Sequence, residues 1–187
     1  MLGHQERWNV LSPSFQHGVT LVELLIGITI VAILLTVGLP SYSAWIQNTK
    51  IRTAAESVLN GMQLARAEAV RRNANVQMVF GTASSWTVSA PATTEQIRAR
   101  SAGEGSANVT VTMTPSTATT ITFNSLGRVA TNADASASIT SADLTVPTTI
   151  LAASEARKLR IVIGPGGNVR MCDPDAGVPV GDPRKCP

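Results

Sequence analysis

The sequence predicts an α+β chain: one long N-terminal helix, apolar in its first half and amphipathic in its second, packed on an antiparallel β-sheet domain. Three observations carry that expectation. Residues 21–39, LVELLIGITIVAILLTVGL, hold one charge, Glu23, and Leu24 to Leu39 are 16 uninterrupted uncharged residues. The helical pattern continues through SYSAWIQNTKIRTAAESVLNGMQLARAEAVRR to about Arg72. Beyond Asn75 the periodicity switches to alternation, in short runs separated by turn residues.

The apolar run comes first. A membrane-spanning helix needs about 20 apolar residues, so this one reaches across a bilayer only if its Glu23 end is counted. A buried helix of a globular protein is the alternative, but a chain of 187 residues rarely hides such a run. A secretory signal peptide is a closer rival. Its cleavage site, however, follows the apolar core, and cleavage there would cut this helix in half. The small residue stands before the core instead, at Gly18. Glu23 is costly at membrane depth unless it is paired; a position at headgroup level is the other option. Pro40 removes one backbone hydrogen bond and crowds the preceding turn, which predicts a kink or a locally melted turn around Gly38 to Pro40.

In the second half Ala55, Val58, Leu59, Met62, Ala65 and Ala69 recur at three- and four-residue steps, while Glu56, Gln63, Arg66 and Arg71 fall elsewhere. That stripe reads as core against a sheet, and its small, irregular residues argue against a coiled-coil seam. Asn73-Ala74-Asn75 ends the helix. NVQMVF (75–80) and SWTVSA (85–90) form a hairpin signal around Gly81 to Ser84. EQIRAR (95–100) is ambiguous, NVTVTM (108–113) alternates cleanly, and TTITFNS (119–125) runs into Leu126-Gly127-Arg128. Residues 131–149 read as a long polar loop with room for one short strand. RKLRIVIG (157–164), a turn over Gly164 to Gly167 and NVRMC (168–172) close the sheet before a Pro- and Gly-rich tail.

Composition narrows the function. The net charge of +3, from 15 basic and 12 acidic residues, does not by itself name a nucleic-acid partner. Thr, Ser and Ala crowd residues 82–154, which suits an extracytoplasmic β domain. Cys172 and Cys186 lie in the tail with no His between them, a poor zinc site. They read as one disulfide closing a short loop, hence an oxidising compartment, with two free thiols as the alternative. Both histidines, His4 and His17, precede the helix. The remainder has no nucleophile–base set, no phosphate-binding loop and no metal cluster, so neither an enzyme nor a cofactor is expected.

The order Gly18-Val19-Thr20-Leu21-Val22-Glu23, followed by the apolar run, resembles the class III prepilin signal of type IV pilins and type II secretion pseudopilins. Val19 stands where Phe is usual, and the leader is long, with Arg7 its one fixed positive charge beside Glu6. The resemblance implies a pilin fold and three segments: a leader over residues 1–18, a transmembrane and filament-core helix over 19–45, and a globular domain over 46–187 with a Cys-bridged tail. It implies that a prepilin peptidase cuts between Gly18 and Val19 and N-methylates Val19. Glu23 would then pair with the new amino terminus of a neighbouring pilin during filament assembly. It further implies a single-pass protein of the inner membrane, its C-terminal domain in the periplasm, working with an assembly platform there and reaching the cell surface within a pilus.

The pair ITFNSLGRV (121–129) and LRIVIGPGGNVRMCDP (159–174) resembles the GspH/FimT family of minor pilins and pseudopilins, most closely its FimT branch. That branch carries a Gly-Arg-x-Arg motif and binds DNA during natural transformation. Here Gly167 and Arg170 match, and Asn168 replaces the first Arg. The resemblance makes Arg170, Arg184 and Lys185, with Lys158 and Arg160 nearby, candidates for sequence-independent phosphate contacts to double-stranded DNA. Against this, residues 170–187 hold three basic and three acidic side chains. The competing roles are a minor pilin supporting pilus assembly, the same subunit specialised for DNA, and a GspH-like pseudopilin of a type II secretion system. A major pilin fits the second half less well.

Overall fold

The computed structural model describes residues 18–187. The leader expected over residues 1–18 therefore lies outside the described residues, except for Gly18. Helix α1 runs Leu21–Arg72 and nine strands follow: β1 Val76–Phe80, β2 Trp86–Ala90, β3 Glu95–Arg100, β4 Thr110–Thr114, β5 Thr120–Phe123, β6 Val129–Ala130, β7 Ser141–Thr145, β8 Leu159–Ile163 and β9 Val169–Cys172. Two compact units divide the chain, one ending at Pro40 and the other spanning Ser41–Pro187.

In the first unit each large apolar side chain described between Val19 and Leu39 is more than half exposed. The segment is long and apolar enough to cross a membrane. It is helical through Gly38 and Pro40, so the melted turn expected there does not form. One missing N–H removes one bond, while helix on either side supplies the neighbouring bonds cooperatively.

In the second unit α1 buries Ile51, Ala54, Ala55, Val58, Met62, Ala65 and Ala69, the stripe its spacing predicts; Leu59 is only partly buried at its margin. Asn73 stops the helix in the left-handed conformation (φ 50°), one that Asn tolerates, and Ala74 N–H closes the last turn onto the Ala69 carbonyl at 3.2 Å.

The strands form two antiparallel sheets rather than the single one expected, in the orders β3-β2-β1-β5-β6 and β4-β7-β8-β9. The split follows from pairings between distant segments: β1 pairs both β2 and β5, and β7 lies between β4 and β8. Alternate residues of β1, β2, β7 and β8 join the helical stripe in one core that includes Met78, Trp86, Val88, Leu144 and Ile161. β5 is buried on both faces. Its outer face is covered by the expected polar loop, whose Asn132 is 3% exposed and takes a hydrogen bond from Thr122 Oγ1 at 2.9 Å. Asn132 Nδ2 donates to the Thr120 carbonyl at 3.2 Å, so the burial leaves that amide satisfied. The exposed strands β3 and β4 end the two sheets, and their charged and Thr-rich sequences suit unpaired edges.

Candidate functional site

The N-terminal candidate begins outside the helix. Gly18, Val19 and Thr20 are irregular and exposed, and nothing lies within 4 Å of where a Gly18 side chain would stand. A peptide bond in such a segment is accessible to a protease. Thr20 caps α1: its Oγ1 accepts the Glu23 backbone N–H at 3.2 Å, and its carbonyl accepts Leu24 N–H at 3.1 Å. Glu23 sits in the first turn, where the helix dipole favours an anion. Thr20-x-x-Glu23 is therefore a helix-capping signature as well as part of the prepilin pattern, a role the sequence reading missed although the spacing carried it.

The C-terminal candidate is a clasp. Cys172, at the end of β9, is bonded to Cys186, and the free-thiol alternative is set aside. Asp173 N–H donates to the Arg184 carbonyl at 2.6 Å and Cys186 N–H to the Asp173 carbonyl at 3.1 Å, so the returning tail lies alongside the end of β9.

The basic residues of this half do not converge as a set. Arg160 is spent on a bidentate pair with Asp143, its cross-strand neighbour on β7, at 2.5 and 2.7 Å. That carboxylate raises the Arg160 pKa above its ordinary value. Arg184 forms a second fork on Asp182 at 3.1 and 2.8 Å, and its guanidinium holds the Asp182 carboxyl at about 2. Arg170 is exposed on β9, at 3.4 Å from the Lys185 carbonyl. Lys158 is exposed and Lys185 half-buried; neither they nor Arg170 have an ion-pair partner among the described residues. The Asn168 side chain folds back against Gly164, leaving no room there for a Cβ.

Gly127 and Gly167, one in each of the two stretches that carry the family resemblance, meet. Asn124 Oδ1 accepts Leu126 and Arg128 N–H, each at 3.0 Å, and Gly127 follows at φ +71°. The Gly127 carbonyl accepts Arg66 Nε from α1 at 3.0 Å. Gly167 (φ +80°) presses on that same carbonyl, so closely that any Cβ would overlap it. Gly167 is thereby a packing residue joining the β5–β6 turn to the β8–β9 turn.

A groove of about 730 Å³ opens beside the clasp, between α1 and the ends of β8 and β9. Trp45, Leu159 and Met171 give it an apolar side; Arg52, Arg157 and Arg184 give it a basic one. Sequence reasoning did not find this site, because its residues are far apart in the chain.

Two family models match the chain. One, described as type II transport protein GspH, matches residues 54–167, more than half of the sequence. The other, described as a prokaryotic N-terminal methylation motif, matches residues 13–39. No curated protein matches it. Among solved structures, the type IV minor pilin FimU of Pseudomonas aeruginosa strain PAO1 aligns in two crystal forms. In one the identity is 16% and the TM-score 0.46, over 65% of this chain and 87% of that one. In the other they are 16% and 0.43, over 64% and 90%.

Proposed function

The chain belongs to the GspH family of type IV minor pilins and pseudopilins, and from that premise we propose that it is a minor pilin, matured after Gly18 and inserted into a type IV pilus through residues 19–45. The observation that carries this is the exposed segment Gly18–Thr20 leading into a capped helix whose first half has its large apolar side chains exposed among the described residues. Peptidase cleavage after Gly18 creates an amino terminus at Val19, which is then methylated. Before assembly the helix rests in the inner membrane with residues 46–187 in the periplasm, where the Cys172–Cys186 bridge is stable. During assembly Glu23 pairs with the amino terminus of the neighbouring pilin, since an unpaired acid among apolar helices is expensive. The assembly platform of the inner membrane is the partner that this step requires.

A second reading, a pseudopilin of a type II secretion system, is favoured by the description of the matching family model. DNA capture by the tail has thinner support, because Arg160 is spent on Asp143 and residues 170–187 carry as many acidic as basic side chains.

The test is made in cells carrying the peptidase. Mass spectrometry of the mature chain should find residues 19–187 bearing one added methyl group, and Gly18→Val should leave the precursor uncut. Sheared pili should contain the wild-type subunit and lack Glu23→Ala. A Glu23→Ala subunit incorporated like wild type overturns the assembly role. A subunit absent from pili but needed for protein export establishes the pseudopilin reading instead.

A further inference from the structure

We propose that the groove beside the clasp is a headgroup site for an anionic phospholipid of the membrane that anchors the subunit, with Arg157 as its central phosphate contact. The proposal rests on the membrane reading above and adds a ligand to it.

The chemistry of the groove is amphiphilic. Its basic side is Arg52, Arg157 and Arg184, against a single lining carboxylate, Asp173. Arg52 and Arg184 each hold one carboxylate, Glu56 and Asp182, and their side chains are 72% and 76% exposed. The arginine side of each pair is open to solvent, so an arriving phosphate can share these donors. Arg157 has no ion-pair partner among the described residues. Its backbone N–H donates to Asn48 Oδ1 at 2.8 Å, and Asn48 Nδ2 donates to the Glu155 carbonyl at 2.9 Å. The loop bearing Arg157 is therefore fastened to α1 while its guanidinium keeps its donors. Arginine forks match a phosphodiester in geometry as well as charge. Trp45, Leu159 and Met171 offer apolar surface to the glycerol and first methylenes that follow a lipid phosphate.

Position selects a lipid over other phosphates. Trp45 follows Leu39, the last residue of the apolar stretch 21–39, by six positions. Six residues span at most about 20 Å, however the two units are disposed. Trp45 is 63% exposed and stacks on Tyr42, with ring centroids 5.9 Å apart. Exposed Trp and Tyr directly after an apolar span are the residues that settle at headgroup level. The groove's aromatic wall is thus also the interfacial anchor, and a bilayer offers it anionic headgroups continuously.

The test uses the full-length chain. Flotation with phosphatidylcholine vesicles first scores anchoring alone. Native mass spectrometry of the chain in detergent then measures binding of short-chain phosphatidylglycerol, short-chain phosphatidylcholine, inorganic phosphate and a DNA duplex. Phosphatidylglycerol should bind preferentially. Arg157→Gln should weaken it about ten-fold, the size of one lost charge-assisted hydrogen bond. Arg52→Gln should act in the same direction, and Arg98→Gln on β3 should not. Equal binding of the two lipids, or no effect of Arg157→Gln in a folded chain, overturns the proposal. So does inorganic phosphate binding as tightly as the lipid, or DNA being the ligand that Arg157→Gln loses. Failure to float overturns the anchoring reading and this proposal together; flotation without selectivity overturns this proposal alone.

Discussion

Between Leu21 and Leu39 helix α1 exposes every large apolar side chain described, whereas between Ile51 and Ala69 it buries a continuous stripe against two sheets. The residues differ in kind as well as in burial. The first stretch is Leu, Ile and Val on all sides; the buried stripe of the second includes Ala54, Ala55, Ala65 and Ala69, beside Gly61. Small residues let backbone approach backbone within one folded unit. Large residues all round satisfy no single partner face, and each forgoes about 1.5–3 kcal/mol while exposed to water. The difference teaches that one helix serves two environments: the second half completes a core in its own chain, and the first requires a bilayer or other helices.

The largest expected effect that tests this division comes from paired truncations. Met62 is fully buried, so Met62→Ala should lower the stability of the folded domain by about 2–5 kcal/mol in denaturant unfolding followed by circular dichroism. Ile30→Ala removes a similar side chain from the exposed half and should leave that transition where it was. A comparable loss from both would mean that the first half is packed within the monomer.

Glycines sharpen the same contrast. A Cβ on Gly61 would lie 3.1 Å from Met78 Cε and from the Trp86 ring, whereas nothing lies within 4 Å of one on Gly27. Gly61→Val should therefore cost about 1–3 kcal/mol by overpacking. Gly27→Val should leave the domain's unfolding midpoint unchanged, and any effect it has should appear in pilus incorporation.

Much of this division was legible in the sequence, since both halves of α1 announce themselves by local periodicity. The strands came through for the same reason: β1, β2, β4, β5, β8 and β9 alternate, or are bounded by Gly and Asn. What was missed is non-local. β6 has two residues, too few to carry a period, and exists because Val129 and Ala130 pair with β5. β7 is the one short strand for which residues 131–149 left room, but its place within them went unread, because only Ala142 and Leu144 are fully buried and Ser141, Asp143 and Thr145 are polar. The division into two sheets, the Asp143–Arg160 pair and the groove depend on register between distant segments, which no window of sequence contains. The N-terminal motif was legible as a pattern, and a family model matches it over residues 13–39, whereas the cap on Thr20 went unseen although its spacing was in plain view.

A smaller effect probes how the second half is fixed to the sheet. Trp86, 5% exposed, donates its indole N–H to Ser57 Oγ at 3.0 Å. Ser57→Ala removes the acceptor without changing the fold of α1, and leaves a buried donor unpaired. The expected loss is about 1–2 kcal/mol, together with a shift in Trp fluorescence. No change in stability would mean that water replaces the hydroxyl.

The smallest effect lies at the end of α1 and depends on pH. Glu68 accepts hydrogen bonds from Arg71 and Arg72, which hold its carboxyl at about 2, below an ordinary value of 4.5. Arg72 also reaches Glu95 on β3 at 2.6 Å, so the pair links helix to sheet. A carboxyl with a depressed folded pKa stabilises the fold fully above its unfolded value. That stabilisation fades as pH falls from about 4.5 towards 2. The gain is modest because the Arg71 side chain is 65% exposed and water screens it. Glu68→Gln should therefore be slightly less stable than wild type at neutral pH, and the gap should close as the solution is acidified through that window. A gap that persists at the acid end would assign the loss to packing rather than charge. Glu23 has no ion-pair partner among the described residues, so the contrast between the two acids repeats that between the two halves. One carboxylate finds its cations inside the chain; for the other, the proposed assembly supplies one from a neighbour.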